Sequence, residues 1–418
     1  MPQAPLFVLL APLPAPERQA DIARGPDGDP VVLGLSLIER TVLAAGRAGW
    51  GQVFLLGGEA SRAAGAAPIG DWRSLVTASL ASPLAPLFIA PAAILAESGW
   101  LEPLADAWIE PARWATIPNR IAMIRAESAL DALDALDQGE GARDLAAVEN
   151  RLARRLGPPI HILSGIDPMV VERPADVEDA ERRLLRSLVK ETDGFMARHV
   201  ERPISLAISR RLAGTAITPN QMSLISVAVG IFGGPFFLSA RPLMQTIGAL
   251  LFLAHSILDG CDGELARLKF QQSRWGGVLD FWGDNVVHIV IFGCMAVGWS
   301  LSAGSIWPLW LGAGAVLGTL GSAALVYWRL MRFKDGSETL FTSVSNAPEG
   351  PLTRLLDSAS RRDFIYLVVL LALLGRSSWF VALAGIGAPI YFCLVLLAAR
   401  PQAFLARSAP AATPGANP

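Results

Sequence analysis

The sequence predicts two unlike halves, an α/β domain over residues 1–195 and then an all-α bundle of six membrane-spanning helices. Three observations predict this division. Of 418 residues, 52% are apolar and only 17% charged, with a net charge of −2. The apolar excess is uneven: Asp, Glu and Arg crowd the first 200 residues, and long apolar runs fill 220–400. Strand-length apolar runs alternate with helical patterns, and they do so only in the first part. This composition excludes a disordered or collagen-like chain and argues against a wholly soluble enzyme. Near-neutral charge gives no case for nucleic acid as a partner. Cys261, Cys294 and Cys393 lie in the apolar half without ligand spacing, which indicates neither a disulfide framework nor a zinc site. Met1-Pro2-Gln3-Ala4-Pro5 has no basic stretch before its short apolar run, so no signal peptide is expected.

In chain order, Leu6–Leu10 is a first strand. Leu37–Leu43 has helical spacing and stops near Gly46–Gly49, and Val53–Leu56 follows as a buried strand. Leu87–Ala90 and Ile121–Ile124 continue the series. Strands alternating with helices predict a largely parallel sheet covered on both faces. Ala175–Glu181 begins a charged helix leading to Thr192-Asp193-Gly194. Residues 196–215 form a juxtamembrane segment: Pro203–Leu212 interleaves Ile204, Leu206 and Ile208 with polar residues and ends at Arg210-Arg211. Such a helix is expected to lie flat on a membrane surface.

Six spans of about 20 residues, each enough to cross a bilayer core of roughly 30 Å, are expected over 216–402. They fall near 220–240, 244–264, 274–300, 307–330, 363–379 and 380–399, and residues 403–418 are expected to form a disordered tail. The loops between spans two and three and between four and five carry Arg267, Lys269, Arg274, Arg329, Arg332, Lys334, Arg354, Arg361 and Arg362. The other side offers Arg241 and Arg376. The excess of positive charge is retained inside, so both termini are expected in the cytoplasm and the chain in the cell (inner) membrane.

Chemistry concentrates in spans two and three, where Asp259, Asp262, Asp280 and Asp284 stand in an apolar setting. Carboxylates there are costly, so they should face a watery interior and bind something positive. Asp259 and Asp262 are three apart, and Asp280, Asp284 and His288 are each four apart, so each set shares a helix face. Two such helices side by side gather four carboxylates, which cannot all stay ionised without cations. Oxygen-only ligands select Mg²⁺ or Mn²⁺. Gly263 and Gly276 remove side chains where a flat ligand or the partner helix must come close.

The spacing Asp259-x2-Asp262-Gly263-x2-Ala266-Arg267-x8-Gly276-x3-Asp280-x3-Asp284 resembles the motif of the CDP-alcohol phosphotransferase family at every fixed position. The resemblance implies transfer of a phospho-alcohol or phosphatidyl group from a CDP-linked donor to an acceptor hydroxyl, with release of CMP. It implies a pair of Mg²⁺ or Mn²⁺ ions held by Asp259, Asp262 and Asp280, with Asp284 completing the shell and serving as base. Gly263, Ala266 and Gly276 would bound the cytidine, and Arg267 would lie near the donor. Thr218-Pro219-Asn220-Gln221 also resembles the family, and Asn220 either touches the nucleotide or belongs to a helix-capping turn. His288, Arg329 and Arg332 are candidates for the acceptor, although Arg329 and Arg332 read more readily as positive loop residues. Members form dimers through their membrane helices, and a homodimer is expected here. A non-catalytic membrane scaffold derived from such an enzyme is the alternative.

The layout resembles two-domain proteins that join an inositol-1-phosphate cytidylyltransferase to a di-inositol-phosphate phosphate synthase, on Leu185–Ser205 and Ser256–Glu264. The first domain would then be nucleotidyltransferase-like and degenerate. Such a domain needs a Gly-rich loop after its first strand, a downstream lysine and a metal-binding aspartate. Here Ala11–Pro16 withholds N–H donors through its prolines, no lysine precedes Lys190, and Pro91-Ala92-Ala93 follows the central strand. Arg24–Gly28 is a weak substitute loop. In the second domain, Asn285 stands after the fourth aspartate where many members have a basic residue.

Overall fold

The computed structural model describes most of residues 5–189 in pieces, residues 193–333 without a break, and residues 364–398. The chain divides into two compact units. The first comprises Met1–Leu188 with Ala213–Thr215 and Leu268–Phe270; the second holds Val189–Leu212, Ala216–Arg267 and Gln271–Pro418.

In the first unit, β1 (Leu6–Leu10), β2 (Val53–Leu56), β3 (Ala67–Ile69), β4 (Leu87–Pro91), β5 (Trp114–Ile117), β6 (Ile121–Ile124) and β7 (Ile160–His161) form one sheet in the order β7-β5-β6-β4-β1-β2-β3. β1 runs parallel to β2 and β4, placing Phe7 opposite Val53 and Phe88. The sheet is largely parallel, as expected, and β6 is its exception, antiparallel to both β4 and β5. The reason is local: only Pro118, Asn119 and Arg120 separate β5 from β6, a hairpin length, and a parallel partner needs a long crossover. Asn119 takes the left-handed conformation that closes the turn (φ +57°).

Both faces of the sheet are covered, which is why its strands read as unbroken apolar runs. Phe7, Leu9, Phe88 and Met123 pack on one face with Ile38, Ala44 and Ala45 of α1 (Leu37–Arg47). Val8, Leu10, Ile89 and Trp114 pack on the other against α2 (Ala129–Asp137) and α3 (Leu145–Leu156). Ser36 caps α1 by accepting from the Glu39 N–H at 3.2 Å, and Asp144 caps α3. α4 (Pro174–Ser187) closes the unit's continuous part. Ala92 and Ile94, just past β4, are buried in the core. Pro12–Pro16 and Gly25–Gly28 lie outside the described residues.

The second unit begins with a π-helical turn, Ala197–Glu201, that runs into α5 (Arg202–Ala213). Then come α6 (Pro219–Gly233, prolonged by a 3₁₀ segment to Leu238), α7 (Pro242–Leu268), α8 (Arg274–Ala303), α9 (Trp307–Phe333), α10 (Phe364–Leu373) and α11 (Ser377–Ala398). Five helices are long and apolar enough to cross a membrane: Pro219–Leu238, Pro242–Leu268, Arg274–Ala303, Trp307–Trp328 and Ser377–Leu397. The sixth expected span is described only as the shorter apolar helix Phe364–Leu373. Leu243, Leu317 and Leu383 stay exposed on these helices, as lipid-facing residues do. Lys334, Arg354, Arg361, Arg362 and residues 403–418 lie outside the described residues.

The helices interlock where side chains are smallest. A Cβ on Gly318 of α9 would stand 2.5 Å from the Ala388 carbonyl carbon and the Pro389 nitrogen of α11, and one on Gly385 would stand 2.5 Å from the Leu311 carbonyl oxygen. Backbone against backbone is the close packing that small residues permit between apolar helices.

Candidate active site

The acidic residues sit near the C-terminal end of α7 and the N-terminal end of α8, and both ends are shaped locally. α7 stops where Phe270 turns left-handed (φ +56°). α8 starts at Ser273, whose Oγ accepts from the Gly276 N–H at 3.0 Å. On α7, Asp259 and Asp262 are each 5% exposed. Asp280 and Asp284, one turn apart on α8, are half-buried.

One carboxylate oxygen each from Asp259, Asp280 and Asp284 lies within 4.8 Å of the others. The fourth aspartate, Asp262, stands outside that trio and accepts a hydrogen bond from the Ser223 hydroxyl of α6. Three carboxylates this close in a poorly solvated setting repel unless protons or a cation intervene. All donors are hard oxygens, so the set fits a hard divalent ion, with Asp262 one helical turn from Asp259 and anchored by Ser223.

Around this cluster, α6 opens with a capping box: the Gln221 N–H donates to Thr218 Oγ1 at 3.3 Å, and the Thr218 N–H donates to Gln221 Oε1 at 3.0 Å. The capping turn is therefore real and uses Thr218 and Gln221. Asn220 is left to face α8, its Oδ1 3.0 Å from where a Cβ on Gly276 would stand. Gly276 is thus kept bare by Asn220 and Ser273. Gly263 differs, since a Cβ there would meet nothing closer than Arg267 Nη1 at 3.8 Å. Helix packing does not demand glycine at 263, and the space beside it is open to a ligand. Ala266 lies one turn on, half-buried. The Nε of Arg267 is shielded from solvent with no hydrogen-bond partner among the described residues.

His288, the sequence candidate for the acceptor, sits among the rings of Phe252, Phe292 and Phe364, with centroids 5.6–5.8 Å away. Arg329 and Arg332 fall in the last turns of α9, where only the backbone is described. Asn285 donates through its side chain to the Phe281 carbonyl at 2.7 Å, closing on its own helix.

Residues 216–386 match the CDP-alcohol phosphatidyltransferase family, a span that holds every acidic residue above. This stretch of the chain is similar to CDP-alcohol phosphatidyltransferases. A bifunctional IPC transferase and DIPP synthase of Thermococcus kodakarensis is 34% identical over 169 residues, 40% of this chain and 37% of that protein. Its counterpart in Aquifex aeolicus is 28% identical over 235 residues, 56% of this chain and 50% of that one. Archaetidylinositol phosphate synthase of Pyrococcus horikoshii is 26% identical over 175 residues, 41% of this chain and 86% of that protein. The matches thus span half or less of the two bifunctional relatives.

Two groups in the matched region escaped the sequence reading. His255 is 2% exposed, with Nε2 3.4 Å from Asp284 Oδ1. Its position four residues before Asp259 was the available signal, because that spacing puts both on one face of α7. Glu264 occupies a variable place inside the motif yet is fully buried. It accepts from Arg202 Nη1 at 2.8 Å and from the Ser205 and Ser209 hydroxyls at 2.7 Å each.

Proposed function

We propose that the membrane half moves a phospho-alcohol or phosphatidyl group from a CDP-linked donor to an acceptor hydroxyl and releases CMP. The observation that carries this reading is the convergence of Asp259, Asp280 and Asp284 from two helices, beside an open Gly263 and the half-buried Arg267. Two Mg²⁺ or Mn²⁺ ions on Asp259, Asp262, Asp280 and Asp284 would neutralise the pyrophosphate when bound. Arg267 holds the donor phosphates, and Gly263, Ala266, Gly276 and Asn220 border the cytidine. Asp284 takes the proton of the acceptor hydroxyl as its oxygen attacks the phosphorus bearing the alcohol. The bond from that phosphorus to the CMP oxygen breaks, and CMP leaves with the electron pair. Donor and acceptor chemistry follow the relatives: a soluble CDP-alcohol, as a DIPP synthase suggests, or a CDP-linked lipid, as the name archaetidylinositol phosphate synthase suggests. The working unit is a homodimer in the inner membrane, with the site open to the cytoplasm. The first domain has lost nucleotide transfer.

The test is CMP release by the purified full chain with CDP-diacylglycerol and with CDP-inositol, each with Mn²⁺ or Mg²⁺. Activity should require the cation, and Asp280→Asn and Asp284→Asn should each lower turnover at least about 100-fold, the scale of a lost general base or charge clamp. Wild-type turnover in both variants would overturn the assignment.

A further inference from the structure

His255 stands where three helices meet. Its Nδ1–H donates to the Ser226 carbonyl of α6 at 2.9 Å, which fixes the ring plane and leaves Nε2 facing Asp284 Oδ1 of α8 at 3.4 Å, a contact that holds the carboxyl when a proton lies between the two, on the ring or on the carboxyl. The slot is cut to the ring: a Cβ on Gly230 of α6 would come within 3.0 Å of His255 Cγ, and Phe252 stacks nearly parallel to it at 6.3 Å. Only 2% of the residue is exposed. The imidazole therefore cannot swing away, and Asp284 meets a polar atom whose position is set by a backbone carbonyl of another helix. From this we infer that His255 is a positioning residue: it orients the Asp284 carboxylate so that its other oxygen is presented to the Asp259–Asp280 pair. Ligand carboxylates and imidazoles commonly owe their orientation to such a neighbour, and losing it costs 10- to 100-fold in metal affinity.

The inference rests on the proposed cation site, and the experiment separates the two. Mn²⁺ binding to the detergent-purified full chain is measured by electron paramagnetic resonance for wild type, Asp280→Asn, His255→Leu and His255→Gln, with melting temperatures taken in chelator to confirm folding. Gln places an amide N–H near the Nε2 position, whereas Leu keeps volume without polarity. The expected result is about 10- to 100-fold weaker Mn²⁺ binding in His255→Leu, within about threefold of wild type in His255→Gln. A structural role alone would lower the melting temperature of His255→Leu in chelator without the rescue by Gln. Unchanged Mn²⁺ affinity in a folded His255→Leu, or equal losses in the Leu and Gln variants, overturns the inference while leaving the site standing. If wild type binds no better than Asp280→Asn, the site and the inference fall together.

Discussion

Glu264 shows how a single buried charge is made tolerable in an apolar region. Its carboxylate has no exposed surface and is met by one guanidinium and two hydroxyls. Arg202 in turn donates to both oxygens of Asp193, at 2.9 and 3.1 Å. Burial works against the charge of Arg202, but its bonds to Asp193 and Glu264 outweigh that and hold its pKa above the ordinary arginine value. Removing one member of such a group leaves the others buried and uncompensated. Glu264→Ala should therefore cost about 3–5 kcal/mol. Glu264→Gln should cost clearly less, because its amide oxygen still accepts from a serine, and thermal unfolding in detergent checks both. At this scale the sequence revealed the four aspartates, because their spacing is regular and their charge is costly. It revealed neither Glu264 nor His255. Their meaning lies in partners on other helices, Arg202 and Asp284, and one helix face does not name its neighbour.

At the scale of elements, strand and helix positions were legible wherever burial dictates composition. Leu6–Leu10, Val53–Leu56 and Ile121–Ile124 are strands as their apolar runs require. Strand direction was not in those runs; it was in the short Pro118–Arg120 connection. The juxtamembrane helix carries a second face that its apolar residues do not display. Ile204 is 44% exposed, whereas Ser205 and Ser209 are the buried positions. Hydroxyls turn inward because Glu264 needs donors, which no pattern within α5 displays. Helix pairing in the membrane half obeys steric fit, and that gives a sharp contrast. Gly318→Ala drives a methyl into the Ala388–Pro389 backbone, which cannot yield like a flexible side chain. Gly293→Ala meets nothing within 4 Å. The first should destabilise by about 1–3 kcal/mol or more, and the second should be neutral or stabilise by up to about 1 kcal/mol through helix propensity. Melting temperatures of the two variants in one detergent would show it. Equal effects would mean that α9 and α11 do not pack through Gly318.

At the scale of the whole molecule, the decisive quantity is the number of crossings. The four aspartates lie at the end of the bundle where α7 gives way to α8, and Arg267, Lys269 and Arg274 lie at that same end. By the positive-inside rule that end is the expected cytoplasmic one. Arg241 and Arg376 lie at the other end, and the guanidinium of Arg376 rests 5.5 Å from the Trp379 ring, an aromatic at a level where interfacial tryptophans collect. Five long helices alone would put the two termini on opposite sides. The described part of α10, Phe364–Leu373, rises only about 15 Å, half of the roughly 30 Å needed. The basic residues Arg354, Arg361 and Arg362 precede it, and Gly375 ends it in a left-handed turn (φ +64°) packed on Pro242, at the start of α7. Six crossings, the number expected from the sequence, would place both termini on one side, and five would separate them. A green fluorescent protein fused after Pro418 should then fluoresce and alkaline phosphatase at the same position should be inactive, whereas the reverse pair of results would reduce the bundle to five crossings.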